Sequence, residues 1–351
     1  MPASPNRWWR KNSSSSRRLN SMSSSAAIAD SPARPGPPGR GVAFLRRLRS
    51  GDQIAHLLVL VFAASIFLVT VLLFFELFKG SALPRHKFGF LFFVTRVWDP
   101  VAEQFGALPF IYGTLVTSIL ALVIAVPLGV GAAIFLSELA PPRFSDNLTF
   151  VIELLAAVPS VIYGLLGIFV LVPFLRAYVM PFLQKSLGFL PIFKGPIYGV
   201  SFFAAGVVLA IMVVPYIISV SREVLLAVPA DQREAALGLG ATRWEATWQV
   251  VVPYARNGIF GSIFLSLARA LGETMAVTMV IGNDPKINAS LFAPGYSIAA
   301  VIANEFTEAT GDLYVQALIE LGLVLFLLTI VINGLARLLI LVTTQKGAAQ
   351  E

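Results

Sequence analysis

Arg269 and Glu273 stand four residues apart in Ala268-Arg269-Ala270-Leu271-Gly272-Glu273-Thr274-Met275-Ala276-Val277, inside an otherwise apolar run. On a continuous helix that spacing puts both side chains on one face. A charge at the centre of a membrane span costs about 2.5–3.5 kcal/mol on insertion scales, so an ionisable residue there is a functional candidate by default. Arginine brings a planar fork that stays charged and binds phosphate-type oxyanions bidentately. The competing reading is an ion pair, local or with a neighbouring helix, that only holds the bundle. As a local pair its order is the weaker one, because a helix gains more when Glu precedes the cation. Glu320, in Leu318-Ile319-Glu320-Leu321-Gly322, is a third candidate. It could partner Arg269 across a bundle, or lie near the interface and be solvated. Thr114, Thr117 and Ser118 suit interhelical hydrogen bonds, and Glu153 suits snorkelling to a surface.

The second informative stretch is Val228 to Pro253, VPADQREAALGLGATRWEATWQVVVP. It reads as two short helices with a turn between them. Pro229 fits a first helical position, Glu234-Ala235-Ala236-Leu237 are good helix formers, and Gly240 can close the helix in a left-handed cap. Thr242-Arg243-Trp244-Glu245 fits a capping box, and Trp244 and Trp248 share a face. The bland reading is an amphipathic hairpin lying on headgroups.

The elements that must position these residues are membrane helices. The chain has 351 residues, 57% hydrophobic and 13% charged, against roughly 45–50% and about 25% in soluble domains. Its apolar residues fall in six blocks, about 54–78, 109–136, 148–175, 200–220, 258–281 and 313–342, each long enough to cross about 30 Å of hydrocarbon. Interior Pro127, Pro159 and Pro215 are tolerable where neighbouring helices satisfy the freed backbone groups. The fold class expected is all-α integral membrane, with a six-helix domain over 51–345, the elbow loop at 228–253, and a short C-terminal tail at 346–351.

Residues 1–50 differ from the rest, with two serine runs, a Pro/Gly stretch and ten Lys/Arg. Such a segment buries too little apolar surface to order itself and reads as a basic cytoplasmic tail near anionic lipid. An organelle transit peptide shares its composition. Aromatic residues are not interleaved with its basic clusters beyond Trp8-Trp9, so nucleic acid is not an expected partner. The positive-inside bias favours both termini on the cytoplasmic side. Cysteine is absent, which excludes disulfides and thiol chemistry. With His56 and His86 the only histidines, no metal centre is expected. No P-loop, H-E-x-x-H or G-x-S-x-G occurs, so the chain has no nucleotide or hydrolase motif of its own.

Glu234-Ala235-Ala236, Gly240 and Val250-Val251-Val252-Pro253 resemble the signature loop of type I ABC importer permeases, with aliphatic changes in its usual I-x-L-P ending. Arg269 to Val277 followed by Ile281-Gly282-Asn283, together with Gly106 to Thr114, look like PstC-type permeases of the phosphate-specific importer. The resemblance runs from about 54 to 342. It implies a non-catalytic membrane subunit of the bacterial inner membrane that forms a path for inorganic phosphate, with Arg269 and Glu273 important for passage. It also implies a coupling helix in which Arg233, Glu234, Ala235, Ala236, Gly240 and Arg243 dock on an ATPase. Implied partners are a PstA-type second permease, two copies of a PstB-type ATPase that uses ATP and Mg, and an external PstS-type phosphate-binding protein, all around a subunit embedded in membrane lipid. No cofactor is expected on this chain itself. An ABC permease for sulfate, molybdate or phosphonate, a secondary anion transporter using Arg269, Glu273 and Glu320, and a non-transporting assembly protein or sensor are the alternatives.

Overall fold

The computed structural model describes residues 52–348, and side chains from Ala55 to Leu338; the tail expected at 1–50 and half of that at 346–351 lie outside this range. The chain divides into two units within its first helix, α1 (Asp52–Gly80). The first unit ends at Phe67, and its described residues form the opening turns of α1. The second, Leu68–Glu351, holds every feature discussed below.

The order continues with α2 (Ala82–Phe88), α3 (Leu108–Ile134, extended by a π-turn over Phe135–Leu139) and α4 (Pro142–Ala156). Then come α5 (Ser160–Leu187), α6 (Phe202–Leu226), α7 (Ala230–Gly238) and α8 (Arg243–Leu271). Short α9 (Met275–Ile281) and α10 (Ile298–Glu305) precede the last helix, α11 (Asp312–Ala348). Six helices are long and apolar enough to cross a membrane: 55–80, 108–139, 160–187, 202–226, 243–271 and 312–338.

Two spans differ from the expectation. The third begins at Ser160 rather than near 148, because Pro159 takes its N-cap position and disfavours a helical residue before it. Residues 142–156 instead form the separate helix α4, with Glu153 exposed on it. The fifth starts at Arg243 and stops at Leu271, so the elbow's second helix runs without interruption into the span and residues 275–281 form a helix of their own.

The core is organised about α6, whose most apolar stretch is 67% buried, about twice the share of any other span. It lies along α3 and also packs against α8, α9 and α4. A β-carbon on Gly206 would fall within 2.6–3.0 Å of the Leu120 side chain, so glycine sets the close approach of α3 and α6. A second cluster, at the end opposite the elbow, gathers Phe92, Trp98, Phe105 and Phe110 with α10 and the start of α11. There Glu305 Oε2 accepts from Trp98 Nε1 and from the Tyr314 hydroxyl, each at 2.8 Å. Burial, reinforced by the nearby Glu305 and Glu308 carboxylates, pushes the Tyr296 hydroxyl up to about 12, so this hydroxyl keeps its proton at physiological pH.

Candidate functional site

The elbow forms as its local signals dictate. Pro229 takes the N-cap position, one residue earlier than expected, and α7 runs from Ala230 to Gly238. Gly240 has φ +93°, while Gly240 N donates to Leu237 O at 3.0 Å and Ala241 N to Ala236 O at 3.1 Å. This pair of bonds is a Schellman closure. Thr242 and Glu245 then complete the capping box: Thr242 N donates to Glu245 Oε2 at 2.8 Å, and Glu245 N to Thr242 Oγ1 at 3.3 Å. Trp244 and Trp248 meet edge to face, centroids 5.6 Å apart. Glu234, Ala235, Gly240 and Arg243 are exposed and Ala236 is half-buried. Gln232, Ala235, Ala236, Gly240 and Glu245 border an open hollow of about 500 Å³. Leu239, 91% exposed, stands at its rim.

Arg233 is turned the other way. Its Nε and one terminal nitrogen grip Glu138 at 3.1 and 2.9 Å. The guanidinium also donates to Leu225 O at 2.7 Å and to Val228 O, at the end of α6. Sequence reasoning missed Glu138; the signal it offered was a carboxylate at the end of an apolar block, in Phe135-Leu136-Ser137-Glu138.

Arg269 lies in the last turn of α8, and Gly272 closes that helix. Glu273 therefore does not continue the same helical face. It occupies the joint between α8 and α9, half-buried, and its Oε1 accepts from Ala276 N at 3.2 Å in the first turn of α9. The ion pairs among the described residues do not include one between Arg269 and Glu273. Arg269 instead sits with Cζ 5.5 Å from the centre of the Tyr216 ring on α6, a cation–π arrangement worth about 0.5–1 kcal/mol when exposed. Its field also reaches Tyr163 on α5, whose hydroxyl donates to Leu155 O at 2.6 Å. Tyr216, one residue after Pro215 in an apolar span, was the second residue that sequence reasoning passed over. Gly261, Leu265, Arg269 and Gly272 are all exposed at helical spacing, so the arginine belongs to an uncovered stripe of α8.

Glu320 does not join Arg269, nor is it solvated. It is 1% exposed, and its Oε2 has no hydrogen-bond partner. The charged group whose field reaches it is Arg85 of α2. That guanidinium lies 3.5 Å from the centre of the Phe78 ring and likewise holds one buried, unpartnered nitrogen. Of the polar trio in α3, Thr114 accepts from Ile298 N at 3.0 Å and so links two elements. Thr117 bonds back within its own helix to Gly113 O at 2.8 Å, and Ser118 Oγ is buried without a partner. Among the described residues no three His, Cys, Asp or Glu side chains converge in a way that could hold a metal ion.

Residues 125–341 match the model of the family described as "Binding-protein-dependent transport system inner membrane component". A phosphate transport system permease protein PstC of Mesorhizobium japonicum is 47% identical over 314 residues, which is 87% of this chain and 95% of that one. Its namesake in Pasteurella multocida is 49% identical over 289 residues, 81% and 90% of the two chains. The protein of that name in Xylella fastidiosa (strain 9a5c) is 45% identical over 314 residues, covering 88% and 95%.

Proposed function

The chain belongs to the binding-protein-dependent transport system inner membrane component family, and from that premise we propose that it is the permease subunit of an ATP-driven phosphate importer. The observation that carries this reading is the near-full-length likeness to proteins named as phosphate permeases, at 45–49% identity. The geometry agrees with the role: Arg269 is a permanently charged oxyanion binder on a stripe of α8 left open to a second permease subunit. Glu273 stands one turn further along, at the joint. Arg269 and Glu273 are the pathway residues in this reading, while Glu320 lies buried in α11, apart from Arg269.

The elbow is the cytoplasmic docking element for a separate ATPase. Its exposed Glu234, Ala235, Gly240 and Arg243, with Ala236 beside them, form the contact face. Both chain termini then lie in the cytoplasm. A PstA-type second permease, two PstB-type ATPase copies using ATP and Mg, and an external PstS-type binding protein complete the assembly. ATP drives transport only if it binds one conformation of that assembly better than the other.

The test is labelled-phosphate uptake into proteoliposomes by this chain alone and by the full assembly, with and without ATP. Uptake confined to the ATP-fed assembly is the expected result. Uptake by the chain alone would identify a secondary transporter. An ATP-hydrolysing assembly that moves sulfate or molybdate and no phosphate would keep the permease and change the solute.

A further inference from the structure

The Arg233–Glu138 contact lies apart from both the uncovered stripe of α8 and the exposed face of the elbow. We propose that Glu138 is a positioning residue: through Arg233 it locks α7 to the ends of α3 and α6, so that movement imposed on the elbow passes into those two spans. The proposal rests on the elbow being the ATPase-docking element.

Three observations carry it. First, α7 is poorly anchored by burial, since none of its nine residues is buried. Second, one guanidinium on α7 bonds to three separate places: both carboxylate oxygens of Glu138 in the π-turn that ends α3, Leu225 O in the last turn of α6, and Val228 O just after it. Third, the pair is sheltered, the side chains being 9% exposed for Glu138 and 23% for Arg233. A sheltered pair is little screened by salt, and a two-pronged contact fixes orientation as well as distance. The neighbouring Arg222–Asp146 pair, longer at 3.5 Å and with Asp146 74% exposed, lacks both properties.

The chain contains no cysteine, so Val123→Cys places one thiol in this subunit, at an exposed position on α3, one of the two spans the lock acts on. In the full complex, built with cysteine-free partners, ATP with vanadate should change the maleimide-labelling rate of that thiol at least threefold. Glu138→Gln should abolish this change while the complex still copurifies and hydrolyses ATP. A Glu138→Gln complex that keeps the full response would overturn the proposal. If that variant fails to assemble, Arg233→Lys, which keeps the charge and loses the fork, is measured the same way: a lost response supports the lock and an intact one removes it. A wild-type complex whose labelling ignores nucleotide would strike the docking reading itself, and the proposal would fall with it.

Discussion

Around Gly240 and Gly272 one helix stops and another begins within a few residues, yet the two joints are built in opposite ways. At Gly240 the bonds that close α7 and open α8 lie between Ala235 and Ala246. The glycine takes φ +93°, and a β-carbon there would meet nothing within 4 Å. At Gly272 the backbone has an ordinary φ of −92°. The helix that follows is held from outside: Ala276, Val277, Val280 and Ile281 are each no more than 2% exposed, and α9 packs on α5 and α6. A joint closed by its own residues can be offered whole to a partner protein. A joint held by packing can set a charged side chain against a path through the bundle, because its position is inherited from the surrounding helices.

Substitutions at the two joints can break that contrast. The largest effect is expected at Arg269→Gln, which should lower ATP-driven phosphate uptake more than 100-fold in an assembled, ATP-hydrolysing complex, since the fork and its charge are both lost. Wild-type uptake there would leave Arg269 a packing residue. On the elbow side, Glu234→Lys should cut uptake about 10-fold, because a reversed charge in a docking face meets like charge or none. Membrane insertion should be intact, and unaltered uptake would remove Glu234 from the face. Glu273→Gln is the sharper probe of the packed joint, because its amide oxygen can still accept from Ala276 N. Uptake should fall several-fold with the thermal midpoint unchanged; normal uptake would assign the carboxylate to capping α9 alone. The smallest pair compares the glycines. Gly240→Ala places a β-carbon on a left-handed residue at about 1 kcal/mol, whereas Gly272→Ala should stay within about 0.5 kcal/mol. Equal shifts in the unfolding midpoint of the two variants would erase the distinction.

How much of this was legible follows the same line. The turn of the elbow could be read from Pro229 to Trp248 because its stop and start signals are adjacent in sequence, with a one-residue shift at Pro229, whereas its second helix is not short but runs on to Leu271. Six apolar blocks likewise gave six spans, with the first, second, fourth and sixth near their expected limits. The break after Leu271 was not legible: Leu-Ala-Arg-Ala-Leu-Gly-Glu-Thr contains good helix formers on both sides of a single glycine, which a helix tolerates. What ends α8 there is the burial of α9, a tertiary fact. The third block misled for a related reason, since apolar residues before and after Pro159 belong to different helices. Arg233 misled because its residue type suits an interface, while its direction is decided by Glu138, 95 positions away.

The open stripe of α8 also bears on how the subunit fares by itself. Arg269 is exposed on a helix of membrane-spanning length with the Tyr216 ring beside it, and an arginine that faced hydrocarbon would cost a few kcal/mol at least. On the proposed assembly an orphan copy carries its own penalty, relieved when the second permease covers that side. If Arg269 meets the solute as proposed, the same arginine would double as a counter of subunits, leaving surplus copies strained and open to membrane quality control, so that the accumulated amount tracks the supply of the proposed mate.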